Sequence, residues 1–257
     1  MCELLGVTSK NKITMDKYFE TFFSHSVEHR NGWGLALFDD FQVFIEKEPT
    51  RAIDSSCLKS RLEKGIQTSK CIAHIRRATI GQVNTNNSHP FAKCDDCGRM
   101  WVLAHNGTIF DSDILAPYQY VQEGTTDSER ILLYLVDQMN RFRTRHKKLP
   151  DEDARIRIVD EMIQNIVPGN KVNLMIYDGS LFYVHKNEAE TMYRKEEKDG
   201  VIFSTQPLDQ EGWEEVVQNR LLVFQDGKLL YVGSSHDHTY VLDEEKMRLL
   251  FFDYSSL

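Results

Sequence analysis

Long apolar runs, clustered cysteines and clustered positive charge are all scarce in this sequence. No apolar run approaches the roughly 20 residues that cross a bilayer, so no membrane span is expected. The first residues lack the basic and then apolar order of a signal peptide. Five cysteines in 257 residues are too few and too scattered for the disulfide framework of a secreted protein. These absences predict a protein of the reducing cytoplasm.

The charge balance and the lack of phosphate-binding or metal-binding motifs exclude further classes. The formal net charge is −8, whereas binding to nucleic acid needs clustered Lys and Arg. The only basic stretch, 141–148, is interpreted as the solvated end of a helix, with a partner-docking patch as the alternative. No Gly-rich phosphate loop occurs, and Cys94 with Cys97 is half of a zinc site without a second half. We therefore predict no cofactor and no metal.

What the sequence does have is the composition of a globular domain. Hydrophobic residues make up 41% of it and charged residues 27%. A chain of 257 residues buries most of its apolar surface without a disulfide or a metal. No internal repeat and no linker rich in Gly, Ser or Pro divides it. We expect one α+β domain over residues 2–257.

Apolar periodicity predicts helices set between two blocks of strands. Helices are expected over 15–26, 55–63, from a cap at Thr126 or Asp127 to about 142, and 151–167. The first block of strands is expected over 2–8, 34–38, 41–46, 70–78 and 100–104. The second block covers 172–177, 181–185, 201–204, 221–224 and 229–232. The stretch 79–99 has the composition of a long loop, which is uncommon in a compact domain unless it is functional or disordered.

The position of Cys2 is the first chemical clue. Removal of Met1 would expose a free α-amine on the same residue as the thiol. That amine has a reference pKa near 7.7–8.0, so a useful fraction of it can act as a base at neutral pH. An N-terminal cysteine thus brings a nucleophile and a base together. A buried structural cysteine is the plainer alternative.

Three later segments place reactive or binding groups where predicted strands end or a helix begins. Arg76 leaves one strand, Asn106-Gly107 leaves the next, and Asp127 opens a helix. A planar guanidinium pairs with a carboxylate through two hydrogen bonds, and a carboxylate recognises an ammonium group. An Asn amide beside a Gly N–H makes a two-donor oxyanion hole. Together these groups suit a free α-amino acid.

Each of these residues also has a purely structural interpretation. Arg76 could be a surface charge at a strand end. Asn106-Gly107 could be a type I′ hairpin turn. Asp127 could serve only as the N-cap of its helix.

Five segments resemble, in order and spacing, the motifs of the class II (N-terminal cysteine) glutamine amidotransferases, a branch of the N-terminal-nucleophile hydrolases. The segments are MCELLG, HIRRAT, NSHPF, AHNGT and TDSE. The stretches around Gly32-Trp33-Gly34 and Thr205-Gln206-Pro207-Leu208 resemble the small standalone members. The resemblance implies a four-layer αββα sandwich with the nucleophile at the start of an inner strand.

The same resemblance implies a role for each motif residue. Cys2 would attack the side-chain amide of glutamine and form a γ-glutamyl thioester, while its α-amine would pass the proton to the departing ammonia. Asn106 and the Gly107 N–H would hold the oxyanion. Arg76 would bind the substrate α-carboxylate and Asp127 its α-ammonium group.

His89 and Arg77 are further candidate substrate contacts, and here the sequence departs from the family pattern. Arg77 and Ile80 stand where relatives with sugar or purine substrates often have an aromatic residue and a histidine. Asn31 replaces an aspartate that is common before Gly-Trp-Gly. The histidines at 74, 89 and 105 fit a role in shaping the loop better than a role as bases, because the α-amine already supplies the base.

Three functions are compatible with these motifs. The first is an amidase that converts glutamine to glutamate and ammonia for a separate acceptor or synthetase subunit. The second applies the same thiol chemistry to a γ-glutamyl conjugate or peptide. The third is a non-catalytic subunit that retains Met1 and binds glutamine or a partner enzyme. In every case the ligand is a small molecule, and neither nucleic acid nor a membrane is expected as a partner.

Overall fold

A computed structural model describes residues 2–39, 42–78 and 81–243 of the chain. In this part of the chain the strands form two antiparallel sheets. The first sheet contains β1 (Glu3–Thr14), β2 (Trp33–Asp39), β3 (Gln42–Glu48), β4 (Gln67–Ile75), β9 (Tyr193–Glu197), β10 (Gly200–Ser204) and β11 (Trp213–Glu215). The second contains β5 (Phe91–Cys94), β6 (Met100–His105), β7 (Leu174–Tyr177), β8 (Phe182–His185), β12 (Leu222–Gln225) and β13 (Lys228–Val232). Their orders are β11-β9-β10-β1-β4-β2-β3 and β13-β12-β8-β7-β6-β5.

Helices cover the outer face of each sheet. Against the first sheet lie α1 (Asp16–Ser24) and α2 (Ser56–Leu62), and against the second lie α3 (Asp127–His146) and α4 (Glu152–Ile166). Three apolar cores result: one under each helical layer and a third between the two sheets. The predicted four-layer αββα sandwich is therefore confirmed. None of the helices in the described part of the chain could span a bilayer.

Strand β1 shows why the N-terminal sequence is continuously apolar. Side chains alternate across a strand, so Leu4 lies in the core between the sheets and Leu5 in the core under α1. Both faces of the strand are buried, and β1 pairs with β4 on one side and β10 on the other. The strand therefore holds residue 2 at the edge of the inter-sheet layer.

The sequence prediction was wrong for part of the stretch 79–99. Phe91–Cys94 forms β5, an edge strand paired with β6, rather than a loop. Only Phe91 of its residues is buried, so the strand carries no apolar alternation that a sequence pattern could reveal. Thr79, Ile80 and the predicted strand start at Phe41 lie outside the described residues.

The Cys94-Asp95-Asp96-Cys97 segment forms the turn between β5 and β6. Asp95 organises this turn: its carboxylate accepts hydrogen bonds from the Cys97 N–H at 2.9 Å, the Arg99 N–H at 3.0 Å and the Trp101 indole at 3.0 Å. Both cysteines are free thiols. Among the described residues no group of His, Cys, Asp and Glu is arranged to hold a metal ion. The structure thus gives this segment a turn-forming role.

The segment 233–243 follows β13 and is held against the rest of the domain by hydrogen bonds. The His236 N–H donates to the Asn219 carbonyl at 3.1 Å, and the Tyr240 N–H donates to the Asn187 carbonyl at 2.7 Å. Nε2 of His236 lies 2.9 Å from Nε2 of the fully buried His185, whose Nδ1 lies 2.8 Å from the carbonyl of Val172. If His185 Nδ1 donates to that carbonyl, its Nε2 accepts from His236, so His185 must be neutral.

The contact between His185 and His236 predicts a loss of folding stability in acid. Burial and the neighbouring His236 lower the pKa of His185 from its ordinary value of 6.5 to about 3. The unfolded chain therefore binds a proton that the folded chain excludes, and stability that is complete above about pH 6.5 is lost as the pH falls toward about 3. At pH 5 this amounts to about 2 kcal/mol. Urea unfolding of His185→Gln should show a smaller loss between pH 7 and pH 5 than the unchanged chain; an equal loss would contradict this assignment.

Candidate active site

Cys2 lies directly before β1, beside the end of β4. The antiparallel register pairs Glu3 with Ile75, which places residue 2 next to Arg76 and Arg77. Cys2 as a residue is half-buried, its Sγ accepts the Arg77 N–H at 3.4 Å, and its S–H lies 3.4 Å from the Arg77 carbonyl. The side chain of Arg77 itself is exposed, so its contact with the thiol is made by its backbone.

The Arg76 side chain turns back into the protein. It is 2% exposed, and its guanidinium donates to the carbonyls of Gly81 at 3.2 Å and Gln82 at 2.9 Å. Arg76 therefore orders the loop that follows β4 and is not a surface charge. The strand register makes residue 76 the neighbour of residue 2, and the Arg76 charge interacts electrostatically with both the Cys2 thiol and the Asp127 carboxylate.

The pKa of the Cys2 thiol is raised, chiefly by burial. The Arg77 backbone hydrogen bond and the Arg76 charge oppose this rise, and the Asp127 carboxylate adds to it. A thiol in these surroundings stays protonated at neutral pH and needs a base before it can attack.

The segment after β6 extends the second sheet and does not form a hairpin turn. Its Asn106 and Thr108 N–H groups donate to the carbonyls of Asn173 at 2.9 Å and Lys171 at 3.0 Å, so it runs antiparallel to the residues before β7. A Cβ at Gly107 would collide with the Lys171 carbonyl, so only glycine fits this close approach. Within the described part of the chain the Asn106 side chain makes no hydrogen bond, and its amide is available to a ligand.

Asp127 is the first residue of α3, but it is not the cap of that helix. The cap is Thr126, whose hydroxyl accepts the Glu129 N–H at 3.3 Å. The Asp127 carboxylate instead accepts the N–H of Ile109 at 2.7 Å and that of Ser128 at 2.9 Å. These bonds fix a negative charge near the Asn106-Gly107 segment, and this charge acts electrostatically on Arg76.

The three histidines of the motifs, His74, His89 and His105, are buried near these groups. His105 is held between the Ser128 hydroxyl, 2.9 Å from Nδ1, and the Lys171 carbonyl, 3.1 Å from Nε2. The rings of His74 and His89 stack at 4.1 Å, and none of their four nitrogens has a hydrogen-bond partner among the described residues. Burial lowers the pKa of both well below 6.5, so both are neutral. His89 is 4% exposed, and its contact with substrate remains a prediction.

Two further residues shape the site, and one of them is Asn31, which stands where the family often has an aspartate. Its N–H donates to the Arg76 carbonyl, and its side-chain oxygen accepts the Ala78 N–H at 3.0 Å. An aspartate would offer the same acceptor, so this departure leaves the loop anchor intact. The buried Lys171 forms an ion pair with Glu188 and acts electrostatically on Cys2. The position of Lys171 near Cys2 depends on how the strands pair, and no sequence motif indicates it.

Cavity size alone does not point to this site. A groove of about 410 Å³ is lined by residues around Phe38, Tyr177 and the turn after β5. A second groove, of about 650 Å³, lies between α3 and α4. Neither is lined by Cys2, Arg76, Asn106 or Asp127. The site is identified by the chemistry of its groups.

Comparison with known proteins gives one family. The family model for class II glutamine amidotransferases matches residues 1–198. An uncharacterized protein of Methanocaldococcus jannaschii is 29% identical over 90% of this chain and 71% of its own length. The gamma-glutamyl-hercynylcysteine sulfoxide hydrolase of Mycolicibacterium smegmatis is 23% identical over 80% of this chain and 82% of its own length. The crystal structure of a predicted glutamine amidotransferase from Pseudomonas aeruginosa shares the fold, with a TM-score of 0.60 and 23% identity over 90% of this chain and 100% of that one.

Proposed function

Because the chain belongs to the class II glutamine amidotransferases, we propose that it is an amidase in which Cys2, freed of Met1, cleaves the side-chain amide of glutamine. One observation carries the proposal: the Cys2 thiol, the Arg76 charge, the Asp127 carboxylate and the Asn106-Gly107 segment lie at one end of the sandwich. We further propose that residues 2–257 form this one domain, because β10, β12 and β13 complete both sheets beyond the family match.

The chemistry begins with the protonated thiol. The neutral α-amine of the processed Cys2 takes the thiol proton as Sγ bonds to the substrate carboxamide carbon. The carbonyl oxygen becomes an oxyanion, which the Asn106 amide and the Gly107 N–H stabilise. The amine then gives its proton to the leaving nitrogen as the C–N bond breaks, and ammonia departs. Water, deprotonated by the same amine, attacks the thioester carbon; the C–S bond breaks, the amine returns the proton to Sγ, and glutamate is released.

The charged groups around the thiol select the amino-acid end of the substrate. Arg76 is proposed to pair with the α-carboxylate while it holds the loop after β4. Asp127 is proposed to accept the α-ammonium group, since its carboxylate is already oriented by the Ile109 and Ser128 N–H groups. His89 and the exposed Arg77 are proposed to complete the surroundings of the substrate.

A second candidate keeps the thioester but changes the leaving group. Arg76 and Asp127 recognise only the glutamyl end, and the relative from Mycolicibacterium smegmatis is a hydrolase named for a γ-glutamyl compound. A γ-glutamyl conjugate or peptide is therefore the alternative substrate. If glutamine is the substrate, the ammonia serves a separate acceptor subunit. Either reaction suits the cytoplasm, where a free thiol stays reduced.

Steady-state turnover of two substrates tests the proposal and decides between the candidates. Preparations in which intact mass proves removal of Met1 should be assayed for glutamate release, first from glutamine and separately from a γ-glutamyl dipeptide. A kcat/KM for glutamine about a hundredfold or more above that for the dipeptide would reject the conjugate. The reverse preference would reject glutamine. Release from neither would contradict a γ-glutamyl amidase, and a retained Met1 would support the non-catalytic alternative.

A further inference from the structure

We propose that Glu3 is a positioning residue that holds Cys2 in place from the opposite face of β1; this inference rests on the proposed function. Its carboxylate is 5% exposed and meets polar groups from two other segments. One oxygen accepts the Gln206 side-chain N–H at 2.7 Å, and the other lies 2.9 Å from Nδ1 of His25. Nε2 of His29 lies 3.6 Å away.

Glu3 cannot act on the thiol directly, because the two side chains leave opposite faces of the strand. Leu4 lies between the sheets and Leu5 under α1, so alternation places Glu3 on the α1 side and Cys2 on the inter-sheet side. The effect of Glu3 must therefore pass through the backbone of residues 2 and 3.

The nucleophile needs such an anchor more than an ordinary strand residue does. Once Met1 is removed, Cys2 has one covalent neighbour, and terminal residues fray unless they are tied down. The hydrogen bonds that the Cys2 side chain makes in the described structure are the two long ones with the Arg77 backbone. The anchor must therefore lie at residues 3 and 4.

The loop after β10 supplies that anchor at two consecutive residues. The Thr205 hydroxyl accepts the Leu4 N–H at 2.7 Å, and the Thr205 N–H donates to the Leu4 carbonyl at 3.0 Å. Gln206 then binds the Glu3 carboxylate. A buried carboxylate is costly unless it is hydrogen-bonded, and an apolar residue could fill the same layer at less cost. The carboxylate differs from an apolar residue because its polar partners fix the orientation of the side chain. They thereby also fix the backbone beside the thiol.

The test exchanges the two partners of the central hydrogen bond. Glu3→Gln removes the charge and one of the two acceptor oxygens that face Gln206 and His25, and Gln206→Glu places two carboxylates together, so each should lower kcat about tenfold or more with KM within about twofold. The double variant restores one carboxylate and one amide and should recover most of the lost kcat. Glu28→Gln, at an exposed glutamate of the same region, is the matched control. Intact mass must show that Met1 is removed equally in the four variants and the unchanged protein.

The alkylation rate of Cys2 by iodoacetamide gives a readout that needs no substrate. It should fall in both single variants and recover in the double variant. If the unchanged protein turns over neither substrate, the proposed function fails, and the alkylation series alone then decides the role of Glu3. Single variants that keep full kcat and alkylation rate, or a double variant no better than either single one, would overturn the positioning role. So would a loss explained wholly by unfolded protein.

Discussion

Cys2→Ala is expected to lower glutamate release by on the order of 10³-fold or more, because the other cysteines of the described chain lie away from residue 2, on α2, on β4 and at the turn after β5. The fold should persist, since the Cys2 side chain makes only two long hydrogen bonds, both with the Arg77 backbone, in the described structure. Glutamate and ammonia released from the preferred substrate would be measured with enzyme-coupled assays. Cys57→Ala is the matched control, because Cys57 is an exposed free thiol on α2.

Two results would separate a nucleophile from an incidental thiol. The Cys57 variant should keep its activity while the Cys2 variant loses it. Full activity in both variants would remove Cys2 from the mechanism. A loss of activity in both variants would show that activity is sensitive to removal of either thiol and would not identify the nucleophile.

The second large effect is expected at the oxyanion segment. Asn106→Ala should lower kcat about 10²–10³-fold, as removal of an oxyanion donor does elsewhere, with a smaller change in KM. The unfolding temperature should change little, because the Asn106 side chain makes no hydrogen bond within the described part of the chain. Asn165→Ala, at an exposed position of α4, is the control.

The kinetic pattern decides what Asn106 does. A fall in kcat without a fall in stability supports a donor that acts as the oxyanion forms. A raised KM with an unchanged kcat would instead assign Asn106 to substrate binding, and a lower unfolding temperature would assign it to the fold.

Much of the fold could be predicted from the sequence because its elements bury one or two apolar faces. The helix α1 and the strands β1, β4 and β6 all show this pattern. The strands that were missed, β5, β9 and β11, lie at or next to sheet edges; β5 and β11 are largely exposed, and β9 is half-buried. Backbone pairing with a neighbouring strand creates them, and that pairing leaves no apolar period in the sequence.

The sequence could supply candidates for the site but not their arrangement. The resemblance to the family motifs gave Cys2, Arg76, Asn106 and Asp127 as candidates, and their roles remain predictions. The contacts between them depend on pairing across long separations, such as Glu3 with Ile75 in the first sheet. Side-chain directions are equally invisible in the sequence.

Two residues illustrate what the sequence could not reveal. His89 turns inward and stacks on His74. Glu3 faces α1, and its partner Gln206 lies about 200 residues away along the chain. No periodicity or spacing relates such positions, because their contact results from the assembled sheets.

The most direct test of the central claim is a mass spectrum of the protein quenched in acid during turnover. We expect a peptide that begins at Cys2, without Met1, and carries one added γ-glutamyl group on its thiol. The adduct should vanish when the substrate is exhausted and should be absent from Cys2→Ala. An adduct on another residue, turnover with no adduct on Cys2 even when hydrolysis is slowed, or turnover by protein that retains Met1 would contradict the thioester mechanism.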